Sequence, residues 1–382
     1  MKDLKKLSIT IVTHVYATGP SFKLEEYLIK KTKRLVFIGH PFSFAKDTRS
    51  FIRVHENGNL IAEKKFLKWS GSDYSFYLKD LMLTLWWCFI FNKDNDYFIG
   101  VNNFNLFSGY ILKLIGKVNK LIFYTIDYVP HRFENNLLNS FYHWLDRFAV
   151  AKSEKVWNLS SQMVKEREKR GVNKRFRRKQ LEVPIGSDIT SSPLSFDKID
   201  KDKIVFMGHL REGHGIEMLI KAMKKVVNIS PKTHLLIIGG GPLESNIKKQ
   251  VKSLGLEKSI SFSGYVENFS DIRSLLRKAA IAVAPYVDDE KTYTRYTDPG
   301  KPKDYLSAGL PVVITKVPQV AFLIDKNKSG IAIDYNEKEL VNAIVRLLGN
   351  RRILREYRRN AFKMAKVYSW DKIFDEALAR SL

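Results

Sequence analysis

The strongest constraint on the fold is an alternation repeated through the chain. Short β-branched and aromatic runs are separated by stretches whose apolar residues recur at three- and four-residue steps. In the first half the runs fall at 9–13, 34–39, 96–101, 120–125 and 155–160, with helix-like stretches at 22–31, 74–91 and 105–115. The second half repeats the pattern with runs at 203–208, 234–239, 259–264 and 280–285, and helices expected from Ile216, Leu243 and Asp271. Such alternation predicts βαβ units and parallel sheets. The stretch 187–201, rich in Ser, Asp, Thr and Pro, breaks it once. The expected organisation is an N-terminal Rossmann-like domain at 1–190, a linker at 191–202, a second Rossmann-like domain at 203–365, and a last helix at 366–382 that crosses back to the first domain. Ligands of open parallel sheets bind outside the carboxyl ends of the strands, so chemistry is expected in a cleft across which the two domains face each other.

Composition narrows the class. A chain of 382 residues with 45% hydrophobic and 27% charged residues carries too much apolar surface to stay disordered. The longest apolar run, 81–91, is about half of what a bilayer span needs. The stretch 7–15 is broken by Ser8, Thr10, Thr13 and His14, which reads as a first strand rather than a secretion signal. A single cysteine, Cys88, excludes an intramolecular disulfide and fits a reducing cytoplasm.

The net charge of +25 calls for an anionic neighbour. Residues 1–190 hold 32 basic and 18 acidic residues and the remainder 33 and 22, so the excess is spread along the chain. The sequence shows no recognition helix, RNA-binding sheet motif or zinc finger, and nucleic acid is not the expected partner. Residues 165–179 hold nine cations against Glu166 and Glu168. With Trp69, Tyr74, Phe76, Tyr77 and the run 81–91, they raise peripheral contact with the inner face of an anionic membrane. A solvated helix face and an ordinary core helix are the competing reading.

The segment 298–313 carries the most chemistry. Pro299 and Gly300 make a turn, a helix begins near Pro302, and Gly309, Leu310 and Pro311 stop it before a strand. N–H groups at such a start hold anions, and Lys301 adds a full charge there. Asp304 falls in the first turn, placed to accept hydrogen bonds from a diol or simply to charge the helix start.

Taken whole, Pro299, Lys301, Asp304, Tyr305, Gly309, Pro311 and Val312 resemble the Pro-x-Lys-x-x-Glu-Tyr-x-x-x-Gly-x-Pro-Val segment of group-one, family-four-like glycosyltransferases with the GT-B fold. Four further pieces occur in family order: 206–210 with Gly215, 238–242, 262–266 and 280–285. The resemblance covers 203–370 and implies a nucleoside diphosphate sugar as donor. By the same resemblance Asp304 holds the donor ribose, and Gly208, Gly300 and Lys301 are further donor-binding candidates. Tyr265, Val266 and Glu267 frame the base. His209 and His214 stand where relatives often carry Arg and Lys, with Arg211 a further cation; both histidines read equally well as ordinary loop residues. Tyr296 breaks the family's E-x7-E pattern, leaving Asp298 as the substitute acceptor of a sugar hydroxyl.

In the first domain, Gly19 after the first strand either lets the loop approach the diphosphate or makes an ordinary turn. Asp127, after the run 120–125, is the expected base for the acceptor hydroxyl, with His131 second; a turn residue is the alternative for Asp127. No His/Cys cluster calls for a metal, and no cofactor is expected beyond the donor substrate. The implied activity is transfer of a sugar to a carbohydrate or lipid-linked acceptor in polysaccharide or glycolipid synthesis. An inactive sugar-nucleotide-binding protein and a sugar-nucleotide epimerase on the same fold remain the alternatives.

Overall fold

A computed structural model describes residues 3–15, 19–92, 95–189, 192–289 and 293–382. The chain divides into two compact units, an N-terminal unit of 1–184 with 370–382 and a C-terminal unit of 185–369. This division falls at Pro184, ahead of the linker expected at 191–202, whose first residue lies outside the described residues.

The N-terminal unit is built on an eight-stranded sheet ordered β4-β3-β2-β1-β5-β6-β7-β8. Its strands are β1 (Ser8–Val15), β2 (Arg34–Pro41), β3 (Phe51–Glu56), β4 (Asn59–Lys65), β5 (Tyr97–Val101), β6 (Lys120–Thr125), β7 (Lys155–Asn158) and β8 (Gln180–Glu182). The expected parallel sheet carries one reversed strand, because β3 runs antiparallel to both β2 and β4. The hairpin turns on Asn57 and Gly58, both at positive φ, which is the backbone that an Asn-Gly turn favours.

Helices α1 (Pro20–Ile29), α2 (Asp73–Phe91), α3 (Asn103–Leu114), α4 (Asn136–Lys152) and α5 (Ser161–Lys169) fill the connections. Beneath α2, α3 and α4 lies a core of Val12, Ile38, Phe98, Leu106, Phe123 and Ala149 with Trp87 and Cys88. The last segment, 370–382, belongs to this unit. Phe374 packs on Tyr27 at 5.4 Å between centroids, and the Trp157 indole N–H donates to Ser381 Oγ at 2.9 Å.

The C-terminal unit has six parallel strands ordered β11-β10-β9-β12-β13-β14. They are β9 (Lys203–Met207), β10 (His234–Ile238), β11 (Ile260–Gly264), β12 (Ile281–Ala284), β13 (Val312–Thr315) and β14 (Gly330–Ile333). Numbered within the unit, the order reverses between its first and fourth strands, the doubly wound pattern whose switch point binds ligands. Helix α6 (Ile216–Ile229) follows β9, α7 (Glu244–Ser253) follows β10, α8 (Phe269–Arg277) follows β11 and α9 (Lys301–Ser307) precedes β13. The strands read as continuous apolar runs because helices cover both faces, and Ile204, Phe206, Leu235, Ile237, Ile281 and Val283 share one core.

Candidate functional site

The switch point of the C-terminal sheet lies between β9 and β12, and the segments leaving those strands hold most of the residues singled out above. Gly208 follows β9 and donates its N–H to the Ile238 carbonyl at 2.9 Å. Gly239, at φ +126°, lies against the Gly208 carbonyl with no room for a Cβ. The glycine-rich turn therefore braces the neighbouring loop, and the Leu210 N–H donates to the Gly240 carbonyl at 2.9 Å.

Lys301 opens α9 and reaches over Gly208, where a Cβ would overlap its ammonium. Among the described residues that ammonium has neither a carboxylate partner nor a hydrogen-bond acceptor. Burial pushes its pKa down to about 8, and the like charge of Arg211 adds to the shift. Arg211 is held in turn: its Nε lies 3.4 Å from His214 Nε2, and its guanidinium reaches the Tyr293 hydroxyl while stacking over that ring at 5.3 Å. Two cations thus converge, and among the described residues neither forms an ion pair with a carboxylate.

His214 is buried, with Nδ1 2.7 Å from the His209 carbonyl. Burial, then the charge of Lys301, lowers its pKa to about 4, so the ring is neutral near pH 7. Its structural action is to orient Arg211, whereas the His209 residue is exposed. The row of N–H groups expected at the start of α9 is short. Pro302 has no N–H, those of Lys303 and Asp304 bond the Gly300 carbonyl at 2.8 and 3.2 Å, and α9 has only seven residues. Lys301 brings a full positive charge to this point.

Asp304 is half-buried, and its carboxylate accepts a 3.4 Å contact from Ser187 Oγ. Burial raises its pKa to about 7, with Asp188 adding repulsion. Tyr305 anchors the same helix: its hydroxyl accepts from the Met207 N–H at 2.7 Å. Asp298 is placed differently from its expected role toward a sugar hydroxyl. One carboxylate oxygen takes the buried Lys303 ammonium and the other the Ile185 N–H at 2.8 Å. Lys303 also donates to the Pro299 carbonyl at 3.0 Å, so Asp298 clamps the approach to α9.

Arg211, His214, Pro242, Leu243, Tyr293 and Thr294 line a cavity of about 420 Å³. Tyr293 was missed in the sequence, where nothing distinguishes it from the aromatic residues around it. Tyr265, Val266 and Glu267 follow β11 and are not in that lining; Tyr265 and Glu267 are exposed and Val266 is half-buried.

In the N-terminal unit a second cavity, of about 60 Å³, sits at the carboxyl ends of β1, β5 and β6. Asp127 lines it with Arg132, to which its carboxylate is ion-paired, and with His14, Asn102, Phe104 and Tyr142. His131 is exposed and lines no part of it. Gly19 caps α1 with φ −136° and ψ −173°, extended backbone that any residue adopts. Residues 16–18 of its loop lie outside the described residues.

Three features of this cavity were not read from the sequence. Asn102 caps α3 at φ +70° and ψ +163°, a region populated essentially by glycine, and its buried Oδ1 has no hydrogen-bond partner among the described residues. His14 stacks on Phe42 at 5.2 Å, with Nε2 3.3 Å from Asp80 and Nδ1 3.2 Å from the Asn105 amide. Asp80 also faces His40 at 3.2 Å and Lys79 at 2.9 Å. Burial opposes the Asp80 charge, but hydrogen bonding from His14 and His40 outweighs it and holds the carboxyl well below the usual range. The Lys79-Asp80 pair inside the apolar run 81–91's helix was the available signal. Among the described residues no group of three or more His, Cys, Asp or Glu is placed to hold a metal ion.

Residues 201–350 match the family of group 1 glycosyl transferases. An uncharacterized glycosyltransferase of Methanocaldococcus jannaschii is 28% identical over 182 residues, covering 47% of this chain and 44% of its own. The chain thus spans less than half the length of that relative. Sucrose-phosphate synthase from Thermosynechococcus elongatus superposes with a TM-score of 0.73 at 15% identity over 98% of both chains. Anabaena HepE in complex with UDP superposes with a TM-score of 0.69 at 14% identity, over 98% of this chain and 100% of that one.

Proposed function

We propose that this chain, a GT-B fold protein whose residues 201–350 belong to the group 1 glycosyl transferases, moves a sugar from a nucleoside diphosphate sugar to a hydroxyl of a carbohydrate or lipid-linked acceptor. The carrying observation is the Lys301 ammonium, without an ion-pair or hydrogen-bond partner among the described residues and set beside Arg211, one helical turn from the Asp304 carboxyl. A diphosphate supplies the anion these cations lack, and a ribose diol supplies the donors Asp304 can accept. Binding of UDP and UDP-glucose by Anabaena HepE, and the wider family match, make UDP sugars the first donors to try.

On this reading negative charge develops on the leaving diphosphate as the glycosidic bond breaks. Lys301 and Arg211 meet that charge in place, which lowers the barrier without moving dipoles at the moment of reaction. His214 stays neutral and holds Arg211 at its station. In the N-terminal unit Asp127 accepts the proton of the acceptor hydroxyl, while Arg132 fixes the carboxylate and Asn102 Oδ1 orients that hydroxyl. The product is expected in polysaccharide or glycolipid synthesis at the cytoplasmic face of a membrane.

The test incubates the protein with UDP, GDP and TDP sugars and follows release of free nucleoside diphosphate with and without glycan acceptors. Acceptor-dependent release, lost in Asp127→Asn, supports transfer. Isomerised sugar nucleotide without release would assign an epimerase, and tight binding with neither product would assign an inactive binder.

A further inference from the structure

No helix among the described residues is long and apolar enough to cross a membrane, yet one face of the N-terminal unit is apolar and uncovered. Along α2, Tyr74, Leu78, Met82, Trp86 and Phe89 follow at steps of four, four, four and three, and all are exposed. These positions form one stripe turned away from the buried Phe76, Leu83 and Trp87 of the same helix. On α4, Leu137, Phe141 and Trp144 repeat the arrangement, with Leu137 82% exposed. Helix α3 lies between them and makes the surface continuous: Tyr77 of α2 packs on Phe104 at 5.0 Å, and Tyr110 of α3 on Phe148 of α4 at 4.9 Å.

The charge on this face is one-sided. Across the three helices the one exposed carboxylate is Asp73, at the very start of α2, while Asp80 and Asp146 are buried. Cations stand at the borders with their stems on aromatic rings. Lys117 lies 4.7 Å over Phe89, and Lys152 lies 5.4 Å over Tyr110. The basic segment 165–179 abuts the end of α4, where Lys179 donates to the Ala151 and Ser153 carbonyls at 3.0 and 2.6 Å. Within it Lys174, Arg175 and Arg178 are exposed and pair with no carboxylate among the described residues.

We propose that the outward face of α2, α3 and α4 is a docking surface for an anionic bilayer, with the border lysines and the 165–179 arm meeting lipid headgroups and the Trp, Phe and Leu side chains entering the interface. Continuous apolar surface of this kind marks an interaction site, and its composition decides between occupants. A second copy of the chain would bring two basic borders together, whereas an anionic bilayer complements them. The Asp127 cavity is rimmed by Tyr77, Phe104 and Phe133, which border the same face. Resting on the transferase reading above, the docked face brings a lipid-carried acceptor to that cavity.

The experiment is flotation of the full chain with vesicles of phosphatidylcholine alone and of phosphatidylcholine mixed with phosphatidylglycerol, with nucleoside diphosphate titrations on the same preparations. The chain is expected to float with the anionic vesicles, less so at high salt. Trp86→Glu with Phe141→Glu, and separately Lys174→Glu with Arg175→Glu and Arg178→Glu, are expected to lower the bound fraction by about tenfold or more while nucleotide affinity is retained. Protein that stays in solution with both vesicles overturns the proposal, as does equal flotation of the Trp86 and Phe141 variant. Concentration-dependent dimers abolished by that variant would assign the face to a second copy instead. Vesicle binding without nucleotide binding would leave the docking surface standing and remove the transferase reading.

Discussion

Lys301 and Gly208 are in such close register that the ammonium occupies the space a side chain on the glycine would need. The backbone of Gly208 lies outside the left-handed region, so alanine is tolerated there and the flexible lysine gives way. Gly208→Ala is expected to leave the melting temperature nearly unchanged while weakening nucleoside diphosphate affinity by about tenfold, the scale of one displaced charge-assisted hydrogen bond. Calorimetric titration alongside thermal unfolding checks both halves.

Two lysines two positions apart should respond oppositely to truncation. Lys303→Ala strands the buried Asp298 carboxylate and is expected to cost about 3–5 kcal/mol of stability. Lys301→Ala removes a cation that has no ion-pair partner among the described residues and whose burial lowers its pKa to about 8, and is expected to leave stability near pH 7 unchanged or raised. Denaturant unfolding of the two variants gives the comparison, and equal losses would mean that Lys301 is structural.

The pH dependence follows from the same residues. If, as proposed, Asp304 accepts from a donor ribose and Lys301 meets its diphosphate, kcat/KM for the donor should rise through about pH 7 as Asp304 ionises and fall above about pH 8 as Lys301 loses its proton. Asp304→Asn should remove the lower limb. Stability runs the other way: a carboxyl whose pKa is raised on folding costs stability as pH climbs from its unfolded value toward about 7. Asp304→Asn should therefore melt higher than the parent chain by a margin that grows over that window, while binding donor more weakly.

Asn102 holds a backbone conformation that glycine adopts without strain. Asn102→Gly is expected to stabilise the chain by about 1 kcal/mol or more through relief of that strain. It also removes Oδ1 from the Asp127 cavity, so acceptor kcat/KM should fall as stability rises. A loss of both would show that Asn102 serves folding alone.

The alternating pattern made the sheets legible because strands covered on both faces are written as short apolar runs. Lys301 and Asp304 were legible for a related reason: a helix start and its charges sit within a few residues of each other. The β3–β4 hairpin was written in Asn57-Gly58 but carried apolar alternation too weak to announce its strands. Asp298 was misread because its partner's burial is a tertiary fact. The sequence reading gives Lys303 no role, though it stands five positions away. The His14, His40 and Asp80 cluster joins positions separated by a whole β-hairpin and helix, and the strain at Asn102 lives in backbone angles that composition does not encode. Exposure of the α2 stripe was equally hidden, since an apolar helix reads the same whether its outer face is covered or bare.

On the proposed reading Lys301 and Asp304 hold a nucleoside diphosphate. Calorimetric titration of UDP, GDP, TDP and ADP into the parent chain, Lys301→Ala and Asp304→Asn tests it most directly. Selective binding of one nucleotide by the parent is expected, with about tenfold or greater weakening in each variant, the loss that follows removal of a charged hydrogen-bond partner. Unchanged affinity in both variants would contradict it.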